Sequence, residues 1–266
     1  MPSNKKRFEK ICQDIKSVRV QGARNVALAG LLAYKLFPNE KSKRKILSLR
    51  PTEPFLINIL RNPEISLEDL KRRIDKNQII INKETYKLIR KNSVIFTHCH
   101  SSTVVSALIY AKKKGKKFEV YITETRPLYQ GRETARELRK NGIKVTMFVD
   151  AAGYIALTES QGTRDVDLVL LGADAITPKG TINKVGSGMF AKLAYYEGIP
   201  VYILADSLKY IRKVKIEKRL PEEVWSTKKI RIFNTAFEPI KKKYIKGIIS
   251  EIGNLSYRKF LKERRS

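Results

Sequence analysis

Histidine, cysteine and tryptophan are nearly missing from this chain: its 266 residues include two His, two Cys and one Trp. Two cysteines, Cys12 and Cys99, are too few for a disulfide framework. With no secretory leader in the sequence, they predict a reducing, cytoplasmic setting. No apolar run approaches the ~18–20 residues that a membrane-crossing helix requires, which predicts a protein without a membrane partner. Acidic residues are scarce beside basic ones, 26 Asp plus Glu against 55 Lys plus Arg, for a formal net charge of +29. Such a field attracts anions: nucleic acid, acidic lipid or phosphorylated metabolites. Lysines spread over a solvated surface give the same number, so the charge alone does not choose between an RNA binder and a sugar-phosphate enzyme.

What is present is a large apolar fraction, 42%, enough for a sizeable core. From the first residue to about Asn92 the sequence reads as helices. "RFEKICQDIKSV" and "NVALAGLLAYKLF" have apolar residues three and four apart, and "SLEDLKRRIDKN" opens on Ser66 as N-cap with Glu68 and Asp69 in the first turn. "LRPTEPFLINIL" resumes as a helix after Pro54, and "FPNEKSKRKI" reads as a polar connection. From Ser93 short apolar runs alternate with amphipathic helical stretches: "SVIFTHC", "FEVYITET", "KVTMFVD", "VDLVLLGAD" and "PVYILAD" are the strand candidates. Strand–helix alternation predicts parallel β with right-handed crossovers, and nearly continuous apolar strands predict helices on both faces. The expected fold is α/β: an N-terminal helical domain, 1–92, followed by a domain of 93–266 built on a Rossmann-like doubly wound parallel sheet that runs to about Asn234, with a basic C-terminal tail.

Ligands of open parallel sheets bind beyond the carboxyl ends of the strands. The residues there are Cys99, Thr125-Arg126, Asp150, Asp174 and Asp206. Both histidines flank the thiol in His98-Cys99-His100. A cysteine between a strand and a helix N-terminus, beside histidines and Arg126, is predicted to have a lowered pKa and to serve as base or nucleophile. Three consecutive ligands on a strand point to alternating faces and cannot converge on one ion, so no metal is expected. Neither histidine is assigned a catalytic role; His98 is expected to point away from Cys99, and His100 toward a ligand.

Three segments read as anion sites. Gly186-Ser187-Gly188 opens a helix after Asn183 and Lys184, and small residues there let backbone N–H groups approach a phosphate. "VQGARN" places Gly22 and Ala23 at a helix start between Arg19 and Arg24. Arg50 precedes a proline, so its backbone is extended and its side chain displayed.

"THCHSS", "VYITETRPLYQGRETARELRKNGIKVT", "VDAAGYIAL", "LVLLGADAIT", "INKVG" and "FNTAFEP" together resemble the translation initiation factor 2B alpha/beta/delta family, over about residues 15–252. That family also contains sugar-phosphate aldose–ketose isomerases. Cys-His-Ser after the strand, Gln-Gly-Ala at residue 21, Arg-Pro-Thr at residue 50 and Thr-Glu-Thr-Arg-Pro resemble archaeal ribose-1,5-bisphosphate isomerases. Lys179 and Ser187 depart from the family's usual Asn and Thr. The resemblance implies conversion of ribose 1,5-bisphosphate to ribulose 1,5-bisphosphate without a cofactor. It makes Cys99 and Asp174 the catalytic pair, read here as thiolate base and carboxylic acid, an assignment that the sequence also allows in reverse. Gly22, Ala23, Arg24, Arg50, Ser101, Arg126, Gln130, Asn183 and Lys184 become the substrate contacts. It also implies homo-oligomers, dimers or hexamers. Two other branches give alternative functions: methylthioribose-1-phosphate isomerase, and a non-catalytic regulatory subunit that binds RNA or a nucleotide.

Overall fold

The computed structural model describes residues 3–264 apart from 159, 160 and 228. Five helices come first: α1 (Asn4–Lys16), α2 (Ala23–Leu36), α3 (Glu40–Leu49), α4 (Pro54–Arg61) and α5 (Leu67–Leu88). Their apolar stripes close over one core containing Phe8, Cys12, Ile15, Val26, Leu31, Ile46, Leu56 and Leu70. Ser66 caps α5 as the sequence predicts, its hydroxyl accepting from the Asp69 N–H at 2.9 Å. Segment 37–46, read as a polar connection, instead contains most of α3, Glu40–Leu49. Asn39 caps it by accepting from the Ser42 N–H at 2.9 Å, and Ile46 enters the core. Its run of charges hid a one-sided helix, because a single buried isoleucine carries little periodicity.

The second half alternates as expected. Strand β1 (Ser93–Thr97) is followed by α6 (Ser102–Lys113), β2 (Phe118–Thr123), α7 (Gln130–Lys140), β3 (Lys144–Phe148), the short α8 (Gly153–Leu157) and β4 (Leu168–Leu171). Then come β5 (Ala175–Thr177), β6 (Gly180–Lys184), α9 (Ser187–Tyr196), β7 (Val201–Leu204), β8 (Phe237–Lys241), β9 (Gly247–Ser250), β10 (Gly253–Leu255) and α10 (Tyr257–Glu263). The main sheet has the order β10-β9-β7-β4-β1-β2-β3. All its pairs are parallel except β9 with β10. Both faces are covered. Val94 and Phe96 of β1 pack with Phe190 of α9 and Phe260 of α10, whereas Ile95 between them packs with Ile81 of α5, Val104 of α6 and Leu138 of α7. Helix α5 therefore serves two cores: its Ile74 belongs to the helical one and its Ile81 to the sheet.

Two features differ from the sequence reading. The sheet continues past Asn234 through β9 and β10, and the basic tail is anchored: Tyr257 and Phe260 of α10 are buried and the Tyr257 hydroxyl donates to the Thr177 carbonyl at 2.8 Å. Between Asp174 and the expected helix start of α9, the chain forms β5 and β6, which join β8 in a small antiparallel sheet. Among the described residues no helix is long and apolar enough to cross a membrane.

Candidate functional site

The strand ends and the first turn of α2 enclose a cavity of about 410 Å³. Its walls include Cys99, Asp174, Gly22, Ala23, Arg24, Arg50, Ser101, Gln130, Asn183 and Lys184. The packing of β4 on the loop after β1 makes this possible. A Cβ on Gly172 would lie 2.6 Å from the Ser101 hydroxyl, so the bare backbone lets the Asp174 loop close against the Cys99 loop.

Cys99 is held in a left-handed backbone conformation, φ +67°, that non-glycine residues rarely adopt. Two threonines hold it there. The Cys99 N–H donates to the Thr125 hydroxyl at 3.0 Å, and the Thr134 hydroxyl donates to the Cys99 carbonyl at 3.1 Å. The predicted low thiol pKa is not what this setting produces. Burial pushes the Cys99 thiol up to about 11, against the opposing pull of the Lys184 ammonium and the His100 N–H. Ser101 caps α6, which leaves Cys99 two residues before the cap, and Arg126 is off the cavity wall.

Arg126 is the sequence-predicted contact that the structure does not bring to the cavity wall. Its guanidinium donates to the Tyr129 hydroxyl at 2.7 Å and to the Val224 carbonyl at 3.2 Å. Asp150 accepts the N–H groups of Thr125 and Arg126 at 2.8 and 2.6 Å, so this carboxylate shapes the loop. The Gly-Ser-Gly cradle is also occupied from within. Glu238 of β8 accepts the N–H groups of Gly186 and Gly188 at 3.0 and 2.6 Å, and supplies the anion that the α9 N-terminus attracts. The sequence offered no way to see this, because β8 lies some fifty residues downstream. The two histidines divide as expected. His98 is buried between the Thr123 hydroxyl (2.5 Å) and the Val185 carbonyl (2.8 Å), with its pKa lowered to about 4 by burial. His100 lines the cavity, with Nδ1 at 2.9 Å from the Thr134 hydroxyl.

Gly22 fits its anion reading. It precedes α2 at φ +79° with no side-chain cap, leaving the helix's first N–H groups on the cavity wall. Arg24 reaches Asp75 at 2.7 Å while also lining the cavity. Arg50 is buried, and two carboxylates meet it: Glu53 accepts from Nη2 at 3.0 Å, and Glu217 lies 3.4 Å from Nε. Glu53, Glu217, Lys209 and Arg219 also line the walls, and the sequence reading named none of them. Lys209 alone had a signal, lying three residues past Asp206 at the end of β7. Burial raises the Asp174 carboxyl above its ordinary range, opposed first by Lys209, then by Lys184 and Arg50. The site is a thiol and a carboxyl sharing one enclosed, cation-rich cavity, an arrangement suited to proton transfer on an anionic ligand.

The chain matches the initiation factor 2 subunit family over residues 56–257. It belongs to that family. It is 33% identical to a ribose 1,5-bisphosphate isomerase of Methanocaldococcus jannaschii, across 91% of this chain and 89% of the relative. It is 30% identical to a methylthioribose-1-phosphate isomerase of Pseudothermotoga lettingae, across 93% and 86%. Among solved structures, a translation initiation factor eIF-2B of Pyrococcus horikoshii OT3 superposes with a TM-score of 0.84 at 26% identity, covering 96% of this chain and 98% of that one.

Proposed function

We propose that this chain is a sugar-phosphate aldose–ketose isomerase that converts ribose 1,5-bisphosphate to ribulose 1,5-bisphosphate. The observation that carries the reading is the presence of Cys99 and Asp174, from separate strand ends, on the wall of one cavity that also holds Lys184, Lys209 and the open end of α2. Isomerase relatives matching along most of the chain support it.

Phosphate on O1 of the substrate keeps the sugar closed as a ring. Isomerisation breaks the bond from C1 to the ring oxygen, protonates that oxygen and removes the proton from C2, which leaves an enol. The enol hydroxyl on C2 then loses its proton as the ketone forms, and C1 gains one. One acid and one base suffice, each returned to its starting state. Burial keeps the proton on the thiol, pushed up to about 11, while three cations oppose the burial that raises Asp174. The roles read from the sequence therefore exchange: Cys99 donates to the ring oxygen, and Asp174 takes the C2 proton. The α2 N-terminus with Arg24, and Lys184, are the candidate phosphate ligands.

A second reading has its own observation. Glu53 and Glu217 already balance Arg50, which favours a sugar with a single phosphate, such as methylthioribose 1-phosphate. Purified protein incubated with each sugar phosphate in turn, with product followed by ³¹P NMR, tests both. Ribulose bisphosphate formation without added RNA supports the main reading. Turnover of only the monophosphate supports the second, and no turnover of either overturns both.

A further inference from the structure

The cavity occupies the carboxyl ends of the strands; the amino ends form a separate surface, and it is basic. Because β1, β2, β3 and β4 run parallel, the segments that enter them arrive at one edge of the sheet. Arg90 and Lys91 precede β1, and Lys114, Lys116 and Lys117 precede β2. Lys144 opens β3, and Arg164 approaches β4. All of these except the half-buried Lys116 are exposed. Segments 88–92, 111–118 and 138–147 contain no acidic residue. The Asn92 N–H donates to the Lys117 carbonyl at 2.6 Å, and Glu119 of β2 stands opposite Lys144 of β3. An open groove of about 430 Å³ lies there, walled by Asn92, Lys117, Phe118, Glu119, Lys144 and Arg164. Buried Glu119 holds Lys144 at 2.6 Å and Arg164 at 3.2 Å. The Arg164 guanidinium also donates to the Asn92 carbonyl at 2.8 Å. One carboxylate thus fixes two cations at the groove, and Lys117 adds a third.

We propose that this edge, the amino ends of β4-β1-β2-β3, binds the phosphate backbone of a nucleic acid. Lys112, Lys113, Arg139 and Lys140 stand in the last turns of α6 and α7, where the helix dipole accounts for cations. It does not account for Arg90, Lys91, Lys117, Lys144 and Arg164, which lie outside the helices. Neighbouring strands lie about 4.8 Å apart, so four strand starts string cations along a row of about 15 Å. Phosphates follow one another at about 3.4 Å per nucleotide in a duplex strand, so the row meets several of them. A single small phosphorylated metabolite would meet only part of it. Among the described residues, the large exposed apolar side chains all lie outside segments 84–92, 110–119 and 138–146. The edge therefore lacks the anchors that insert into a membrane surface and the apolar centre of a protein interface.

This inference does not rest on the isomerase reading, since the cavity lies at the other ends of the same strands. Full-length protein is titrated by fluorescence anisotropy against a labelled single-stranded RNA of about 20 nucleotides and a DNA duplex of similar length, at about 50 and 200 mM KCl. Wild-type affinity should fall about 50-fold across that salt range, as several phosphate contacts require. The tighter of the two probes identifies the backbone that the edge takes. A variant carrying Arg90→Gln, Lys91→Gln, Lys114→Gln and Lys117→Gln leaves the Glu119 ion pairs in place. It should bind more than about tenfold more weakly and flatten the salt slope by about two. A control carrying Lys5→Gln, Lys6→Gln, Arg7→Gln and Lys10→Gln removes the same charge from α1, which packs in the helical core. It should bind within about twofold of wild type. Equal losses in the two variants overturn the proposal and assign binding to charge spread over the whole chain. Absence of binding to either probe at about 50 mM KCl also overturns it. Retention of that protein by phosphatidylserine vesicles would then assign the edge to a membrane.

Discussion

Arg50 and Glu53 form a buried ion pair, Nη2 to Oε1 at 3.0 Å, with neither side chain more than one-tenth exposed. The carboxyl is not a fully ionised partner. Burial pushes Glu53 up from 4.5 to about 7, with Asp174 adding to the rise and Arg50 opposing it. Because the folded value lies above the unfolded one, the chain takes up a proton on folding between these limits. The stabilisation is full below about pH 4.5 and is lost as pH rises through about 7. Glu53→Gln removes this dependence. Chemical denaturation of both proteins should show the Gln variant gaining on the wild type by about 3 kcal/mol between pH 4.5 and pH 8. A constant difference across that range would place Glu53 in the ordinary carboxylate range.

Cys99→Ser and Asp174→Asn should each lower kcat by about 10²–10⁴-fold, the usual loss for a general acid or base. Both variants keep the shape of the cavity, so titration calorimetry should still detect the sugar phosphate. Wild-type turnover by Cys99→Ser would remove the sulfur from the chemistry.

The protonated state of the thiol has a direct chemical readout. In a Cys12→Ser background, alkylation of Cys99 by iodoacetamide should be slow at neutral pH. Its rate should rise about tenfold per pH unit and level off near 11. A plateau near pH 7 would restore the low-pKa thiolate that the helix N-terminus first suggested.

That contrast marks where the sequence was legible. The β1, β2, β4 and β7 runs could be read because each is buried on both faces, and the edge strand β3, which is not, could be read by its place in the strand–helix alternation. Cys99 and Asp174 could be placed because parallel strands all end on the same edge of the sheet. What a sequence displays poorly is which polar groups neutralise one another. Glu238 filling the α9 N-terminus, Glu217 against Arg50, and Arg126 turned to the Val224 carbonyl all join residues whose meeting depends on tertiary packing. The thiol went wrong for the same reason: proximity to a helix end was visible, and the burial that outweighs it was not.

Arg126 and Arg50 make a paired prediction. Arg126 lies off the cavity wall and is held by Tyr129 and Val224, so Arg126→Ala should leave KM for the sugar phosphate within about twofold of wild type. Arg50→Ala should raise KM, because it strips a cation from the wall and leaves Glu53 and Glu217 unbalanced against an anionic ligand. Steady-state kinetics on the two variants decides it. A raised KM for Arg126→Ala would mean that its guanidinium swings into the cavity when substrate binds.

His98 provides the last prediction, one of stability alone. Its ring bridges the Thr123 hydroxyl and the Val185 carbonyl, and burial lowers its pKa from 6.5 to about 4. The folded value lies below the unfolded one, so the unfolded chain binds the extra proton as the medium is acidified. The stability that His98 confers is complete above about pH 6.5 and drains away as pH falls toward 4. Over that interval it amounts to about 3 kcal/mol. Glutamine can satisfy both partners without titrating, so His98→Gln should flatten the decline in denaturation free energy between pH 6.5 and pH 4. An equally steep decline in both proteins would assign the acid sensitivity to other groups.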